Sequence, residues 1–183
     1  LCDYKAACYA GTEQGIAATK SFTSQMLCLI LISLKLVEKI HGDNATIGYK
    51  KSLFSLPAVV DKALAKREDI KKLAAILAKE NTIVITADGI SYSLAKEAAL
   101  KIKETSYKNI SAAILGEFMH GHVAVLNNPS MLIYIAVDEI SKRSVSNLNK
   151  IKEDYKPKLV IIGPAGEEVK PDCNINIVSE NEI

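Results

Sequence analysis

The run Thr82-Ile83-Val84-Ile85-Thr86-Ala87 is apolar or β-branched at every position, with no polar alternation. A strand with this pattern is buried on both faces, as in parallel sheets covered by helices above and below. The chain beyond it keeps to that scheme. Asp88-Gly89 turns the chain, and a helix runs to about Lys108. Ser111 to Leu115 reads as a strand, Glu117 to Leu126 as a short helix, and Asn127-Asn128-Pro129-Ser130 as a turn. Met131 to Val137, Leu159 to Ile162 and Asn174 to Val178 read as further strands, with a helix over about 140–154 and a stop at Gly163-Pro164. Strands alternating with helices predict an α/β fold, a doubly wound parallel sheet flanked by helices over residues 81–183.

The first 80 residues read differently. Ala6 to Ala10 suggests a short strand, and Gly11-Thr12-Glu13-Gln14-Gly15 a loop at a helix start. A long helix is expected from about Ile16 to about Ile40, closed at His41-Gly42-Asp43-Asn44 with Gly42 just past its end. Its middle, Met26 to Ile32, is apolar almost all round and should be covered on several sides. A lone strand and such a helix lack local partners. The cover is therefore expected from an upstream segment, a second subunit, or both. Residues 52–80 read as one or two amphipathic helices, with Pro57 near a helix start and Ile70, Leu73, Ala74 and Leu77 at helical spacing.

Of the 183 residues, 49% are hydrophobic, enough for a packed core and against disorder. The formal charge of +2, scattered as in Lys66-Arg67-Glu68-Asp69, argues against a nucleic-acid partner. The four cysteines form no CxxC pair and read as reduced thiols in a cytoplasmic protein, with neither a disulfide frame nor a zinc site. The apolar run between Gln25 and Ser33 reads as too short for a bilayer, so no membrane association is expected. The chain begins at Leu1 and shows no signal peptide.

Chemistry is sought first beyond the carboxyl ends of the strands, where open parallel sheets bind ligands. Asp88-Gly89 marks such an end. On the helix after it, Leu94, Ala95, Ala98, Ile102 and Thr105 share the expected apolar face, with Lys96 and Lys103 opposite. Glu97, Lys101, Glu104 and Lys108 form a stripe at the border of that face. Partial desolvation there would suit a carboxylate and an ammonium to proton transfer and oxyanion stabilisation. The competing reading is an ordinary surface ion-pair stripe. His120, between glycines in Gly116-Glu117-Phe118-Met119-His120-Gly121-His122, suits acid–base work. Glu117, His120 and His122 have no further ligand cluster to complete a metal site. His41 reads as a helix-end residue.

Three blocks in order then carry a resemblance. Ala10-Gly11-Thr12-Glu13-Gln14-Gly15-Ile16-Ala17-Ala18-Thr19-Lys20-Ser21-Phe22-Thr23-Ser24-Gln25 resembles the AGTEIGVASTKAFTTQ segment of the glutamine–fructose-6-phosphate transaminase (glucosamine-6-phosphate synthase) family. Glu97 to Tyr107 resembles its EGALKLKEISY helix, and Gly116 to Gly121 its GE-x-x-HG loop. The resemblance implies the family's isomerase part, built of two sugar-isomerase (SIS) subdomains. Residues 1–80 would be the end of the first subdomain plus connecting helices, and 81–183 most of the second. It implies a phosphorylated sugar as ligand, fructose-6-phosphate or an amino-sugar phosphate, a homodimer, and no cofactor or metal for the isomerisation. Glu104 matches the base that moves a proton between sugar carbons, and Lys101 an active-site lysine. His120 matches a histidine tied to ring opening and given across the dimer. Ile16, Glu97 and Gly121 are carried over to substrate binding.

The chain departs from the family in several places. Residues 1–183 include no match to the family's Ser/Thr-rich phosphate loop, its tail lysine or its glutamine-hydrolysing domain. Ala87-Asp88-Gly89 stands where the family has GRG, which weakens an anion reading there, and His122 stands where it has proline. The expectation is an isomerase unit inactive by itself. A sugar-phosphate-binding regulatory module, or an amino-sugar-phosphate deaminase or deglycase, are the alternatives. No helix-turn-helix is recognisable.

Overall fold

The computed structural model describes residues 3–126 and 129–176. The chain divides into two compact units at Pro57–Ala58. The first unit holds helix α1 (Lys20–His41) and the start of α2 (Ile47–Ala65). Residues 6–10 form no strand, because no neighbouring strand of that unit offers them a ladder. The expected helix begins four residues later than Ile16, at Lys20, and Glu13 explains the shift. Its Oε2 accepts from Ser21 N at 3.0 Å and Ser21 Oγ at 2.6 Å, and its Oε1 from Thr19 Oγ1 at 3.2 Å. A carboxylate from outside the helix thus does the work that the side chain of Thr19, the residue at the cap, leaves undone. Lys20 Nζ holds the same loop through Thr12 O at 2.5 Å.

At the other end of α1, Glu38 is buried and accepts from Thr46 Oγ1 at 2.5 Å and Lys35 Nζ at 3.0 Å, with Lys50 also against it. Lys50 first, then Thr46 and Lys35, lower its carboxyl to about 2. The cover expected over the middle of α1 is not supplied by the described residues: Leu29, Ile32 and Leu36 are 61%, 47% and 57% exposed. At 22 residues α1 is also long and apolar enough, by length and composition alone, to cross a membrane. The helix extends the run bounded by Gln25 and Ser33 with Leu34, Leu36, Val37 and Ile40, interspersed with Lys35, Glu38 and Lys39. A core helix of a soluble protein meets the same criterion.

Pro57 lies inside α2, not at a helix start. A proline in a helix interior forgoes one backbone hydrogen bond, and the two units part at this position.

The second unit holds α3 (Arg67–Leu77), β1 (Thr82–Ala87), α4 (Ser91–Ser106), β2 (Ile110–Ile114) and α5 (Leu115–Phe118). It continues with β3 (Ser130–Ile135), α6 (Lys142–Tyr155), β4 (Lys158–Ile162) and β5 (Cys173–Ile175). All strand pairs are parallel, in the order β2-β1-β3-β4-β5. The short helix expected over 117–126 is instead α5 followed by a 3-10 turn at His122–Val125. Side chains alternate across each strand. Ile83, Ile85, Met131, Ile133 and Val160 face α3 and α4 through Leu73, Ala95 and Ala99. Val84, Leu132, Leu159 and Ile161 face α5 and α6 through Leu115, Phe118, Leu148 and Ile151. Each such side chain contributes about 1.5–3 kcal/mol when fully buried. This is the doubly wound sheet that the apolar runs predict.

Candidate functional site

Helix α4 leaves the carboxyl end of β1 and returns beside the sheet to the amino end of β2. Its buried residues are Ser91, Ala95 and Ala99, with Ala98 and Ile102 packed beside them. The face is therefore rotated from the expected one, and Leu94 and Thr105 are exposed. Small side chains let α4 lie close on the strands, and closeness rather than bulk sets which face is covered. The rotation leaves Glu97, Lys101 and Glu104 on the border, their side chains 25%, 24% and 31% exposed.

Lys101 stands between two carboxylates. Its Nζ lies 2.9 Å from Glu104 Oε2 and 3.4 Å from Glu97 Oε1. The hydrogen bond to Glu104 is the main reason its pKa is raised, so the ammonium persists through neutral pH. Such a triad can hold a carboxylate oriented toward a carbon-bound proton and offer a cation to a developing oxyanion. Lys108 does not extend the stripe. The helix ends at Tyr107 in the left-handed region, and Lys108 Nζ instead reaches Glu80 O at 2.9 Å. Lys103 is exposed, as is Lys96, which lies over the Tyr92 ring at 5.1 Å.

His120 and Gly121 lie past the carboxyl end of β2, in the turn after α5. Gly121 takes φ 107°, a conformation that favours glycine, so this turn is built around it. His120 is exposed, and its backbone N–H bonds Glu117 O at 3.0 Å. A cavity of about 340 Å³ beside the turn is lined by Tyr92, Ser111, Glu117 and His122 among others. Glu104 is near the C-terminus of α4, roughly 20 Å along the helix from Ser91 by the rise per residue. Glu104 and His120 therefore sit at opposite ends of the sheet, and the unit does not bring them together. Ile16, in the first unit, is 89% exposed on the loop before α1.

A feature that sequence reading missed lies at the carboxyl ends of β1 and β3, where the strand order reverses. Asp88 Oδ2 accepts from Ser144 Oγ at 2.8 Å and Tyr134 OH at 3.1 Å. Burial raises the Tyr134 phenol to about 12. The partners are 46 and 56 residues from Asp88, so only its position at a strand end gave any signal.

Residues 76–183 match the SIS domain family. Glutamine–fructose-6-phosphate aminotransferase (isomerizing) of Buchnera aphidicola is 34% identical over 145 residues, 78% of this chain and 24% of that protein. The enzyme of the same name from Pseudomonas aeruginosa is 31% identical over 177 residues, 95% of this chain and 29% of that protein. Among solved structures, the C-terminal domain of glucosamine-fructose-6-phosphate aminotransferase from Francisella tularensis superposes with a TM-score of 0.82 at 28% identity. It covers 92% of this chain and 49% of that one. The chain spans about a quarter of the length of the curated relatives it matches.

Proposed function

Because the chain belongs to the SIS domain family, we propose that it is part of a sugar-phosphate isomerase acting in the cytoplasm, of the kind that converts fructose-6-phosphate to an aldose or amino-sugar phosphate. The observation that carries this reading is the half-covered triad, with Lys101 Nζ 2.9 Å from Glu104 Oε2 and 3.4 Å from Glu97 Oε1. In it Glu104 moves the proton between the sugar carbons, and Lys101 holds Glu104 and steadies the enediol oxygen. Glu97 braces Lys101 from the other side. Gly121, next to His120, is assigned with it to substrate contacts in a neighbouring subunit, and Ile16 is assigned to substrate binding.

His120 is assigned to ring opening in a neighbouring subunit. The separation of Glu104 and His120 at opposite ends of one sheet favours a homodimer in which each copy completes the other's site. The unpartnered face of α1 favours the same association.

The test is Glu104→Gln in a protein carrying this unit with the remainder of the isomerase part. The change keeps size and hydrogen bonding but removes the base. Exchange of the sugar C2 proton with solvent should fall by about 10²–10⁴-fold, with sugar-phosphate binding little altered. Unchanged exchange would return the stripe to an ordinary surface ion-pair array.

A further inference from the structure

Given the isomerase reading, on which this rests, we propose that Lys108 is a positioning residue for Glu104: it ties the last turn of α4 to the amino end of the sheet through Glu80. Packing holds the earlier turns of α4. Ser91, Ala95 and Ala99 are buried, and Ala98 and Ile102 pack beside them. Beyond Ile102 the cover runs out. Lys103, Thr105, Ser106 and Tyr107 are exposed, Tyr107 at 89%. The last turn of a helix also lacks intrahelical partners for its carbonyls and is among the first parts to fray. Glu104 stands on this turn. Lys101 sets where its carboxylate points, but the backbone beneath that carboxylate is fixed only as well as the turn is. Tyr107 closes the helix at φ 57°, donating its N–H to Lys103 O at 2.9 Å. That left-handed conformation is unfavourable for a residue with a side chain.

Lys108 follows directly. Ile110 pairs with Ile83, which sets the residues before β2 beside those before β1. From there Lys108 Nζ donates to Glu80 O at 2.9 Å. An ammonium donor makes a stronger bond than a neutral one. Its acceptor is itself set from two sides. Glu80 N bonds Leu77 O at 3.1 Å in the turn after α3, and Glu80 Oε1 accepts from Lys158 Nζ at 2.6 Å at the start of β4. The Glu80 side chain is 2% exposed, and its other oxygen, Oε2, is buried without a hydrogen-bond partner among the described residues. The carboxylate therefore depends on Lys158, and a buried ion pair is strongly disfavoured from parting. Lys158, Glu80 and Lys108 thus join the amino end of β4 to the point four residues past Glu104. Placement matters there, because a shift of about 1 Å at a reacting group can cost about 10²-fold in rate.

The first test uses this chain. In Lys108→Met, hydrogen exchange at the Tyr107 amide should quicken by about tenfold, while the Ile85 and Ile133 amides of the sheet keep their protection. Lys108→Arg, which keeps the charge and the donors, should restore it. The second test follows exchange of the sugar C2 proton in a protein carrying the whole isomerase part. Lys108→Met should lower kcat by about tenfold with KM little altered, since the placement of Glu104 is felt in the transition state and not in binding. Lys108→Arg should recover most of that rate. Glu104→Gln in the same protein tests the underlying assignment separately. Slow exchange in Glu104→Gln with a normal rate in Lys108→Met would overturn the positioning role and leave the isomerase reading standing. Normal exchange in Glu104→Gln would overturn both. Loss of protection at Ile85 and Ile133 along with Tyr107, a change in KM without one in kcat, or no recovery in Lys108→Arg would each overturn the proposal.

Discussion

Lys101 Nζ lies 2.9 Å from Glu104 Oε2, one turn along α4, and the two side chains are only 24% and 31% exposed. An exposed pair at this spacing contributes little. A half-covered one fixes where the carboxylate points. Lys101→Met should therefore lower C2-proton exchange by about 10²-fold in a protein carrying the whole isomerase part, as expected for loss of one oxyanion-stabilising donor. Lys103→Gln, on the exposed side of the same helix, should change it little. Equal rates for Lys101→Met and the wild type, followed by NMR in deuterated solvent, would deny the lysine any role beyond pairing.

Glu13 gives the first unit a pH dependence. Its hydrogen bonds from Ser21, then Thr19, lower its carboxyl from an ordinary 4.5 to about 2. The folded-state value is the lower one, so the contribution is complete above about 4.5 and is lost as pH falls towards about 2. Protection of the Ser21 amide, corrected for intrinsic exchange, should decline across that window. In Glu13→Gln it should be weaker at neutral pH and nearly flat through the same range.

Gly163 admits no side chain. A Cβ there would stand 1.9 Å from Ala136 O and 2.9 Å from Ala136 C, at φ +118°. Backbone atoms of a central strand end cannot move aside, and the conformation is unfavourable for L-residues. Gly163→Ala should cost about 3–5 kcal/mol in denaturant unfolding. Gly166→Ala, also at positive φ but with open space around it, should cost about 1–2 kcal/mol. Similar losses for the two would mean that close approach to Ala136 is unimportant.

Association should centre on α1, where Leu29, Leu36 and Ile40 are 61%, 57% and 73% exposed. Sedimentation is expected to show a dimer at micromolar concentration, and Leu29→Glu should shift it towards monomer. A wild-type monomer under those conditions would count against the shared-site arrangement.

Some of this was legible residue by residue. Thr82–Ala87 announced a strand covered on both faces because every position is apolar or β-branched and none is charged, and the spacing of Glu97, Lys101 and Glu104 put them on one stripe. Other local readings failed for identifiable reasons. Ala6–Ala10 has strand-like composition, but a strand exists only with a ladder partner. Pro57 carries a helix-start preference, yet α2 continues through it. Leu94 outweighs Ala95 in hydrophobicity, yet Ala95 is covered because α4 lies close on the sheet.

The sequence alone determined the class of fold, the order of the elements over residues 82–175 and the grouping of the charged stripe, since these depend on periodicity and near-neighbour spacing. The tertiary structure alone decided which face of α4 is buried and that Lys108 leaves the stripe for Glu80. It also decided that Asp88 is held by Tyr134 and Ser144, and that Glu104 and His120 end at opposite ends of the sheet. Those relationships join residues far apart in the chain, and they are fixed by how strands register and helices pack. A periodic pattern along the sequence carries no information about that distance.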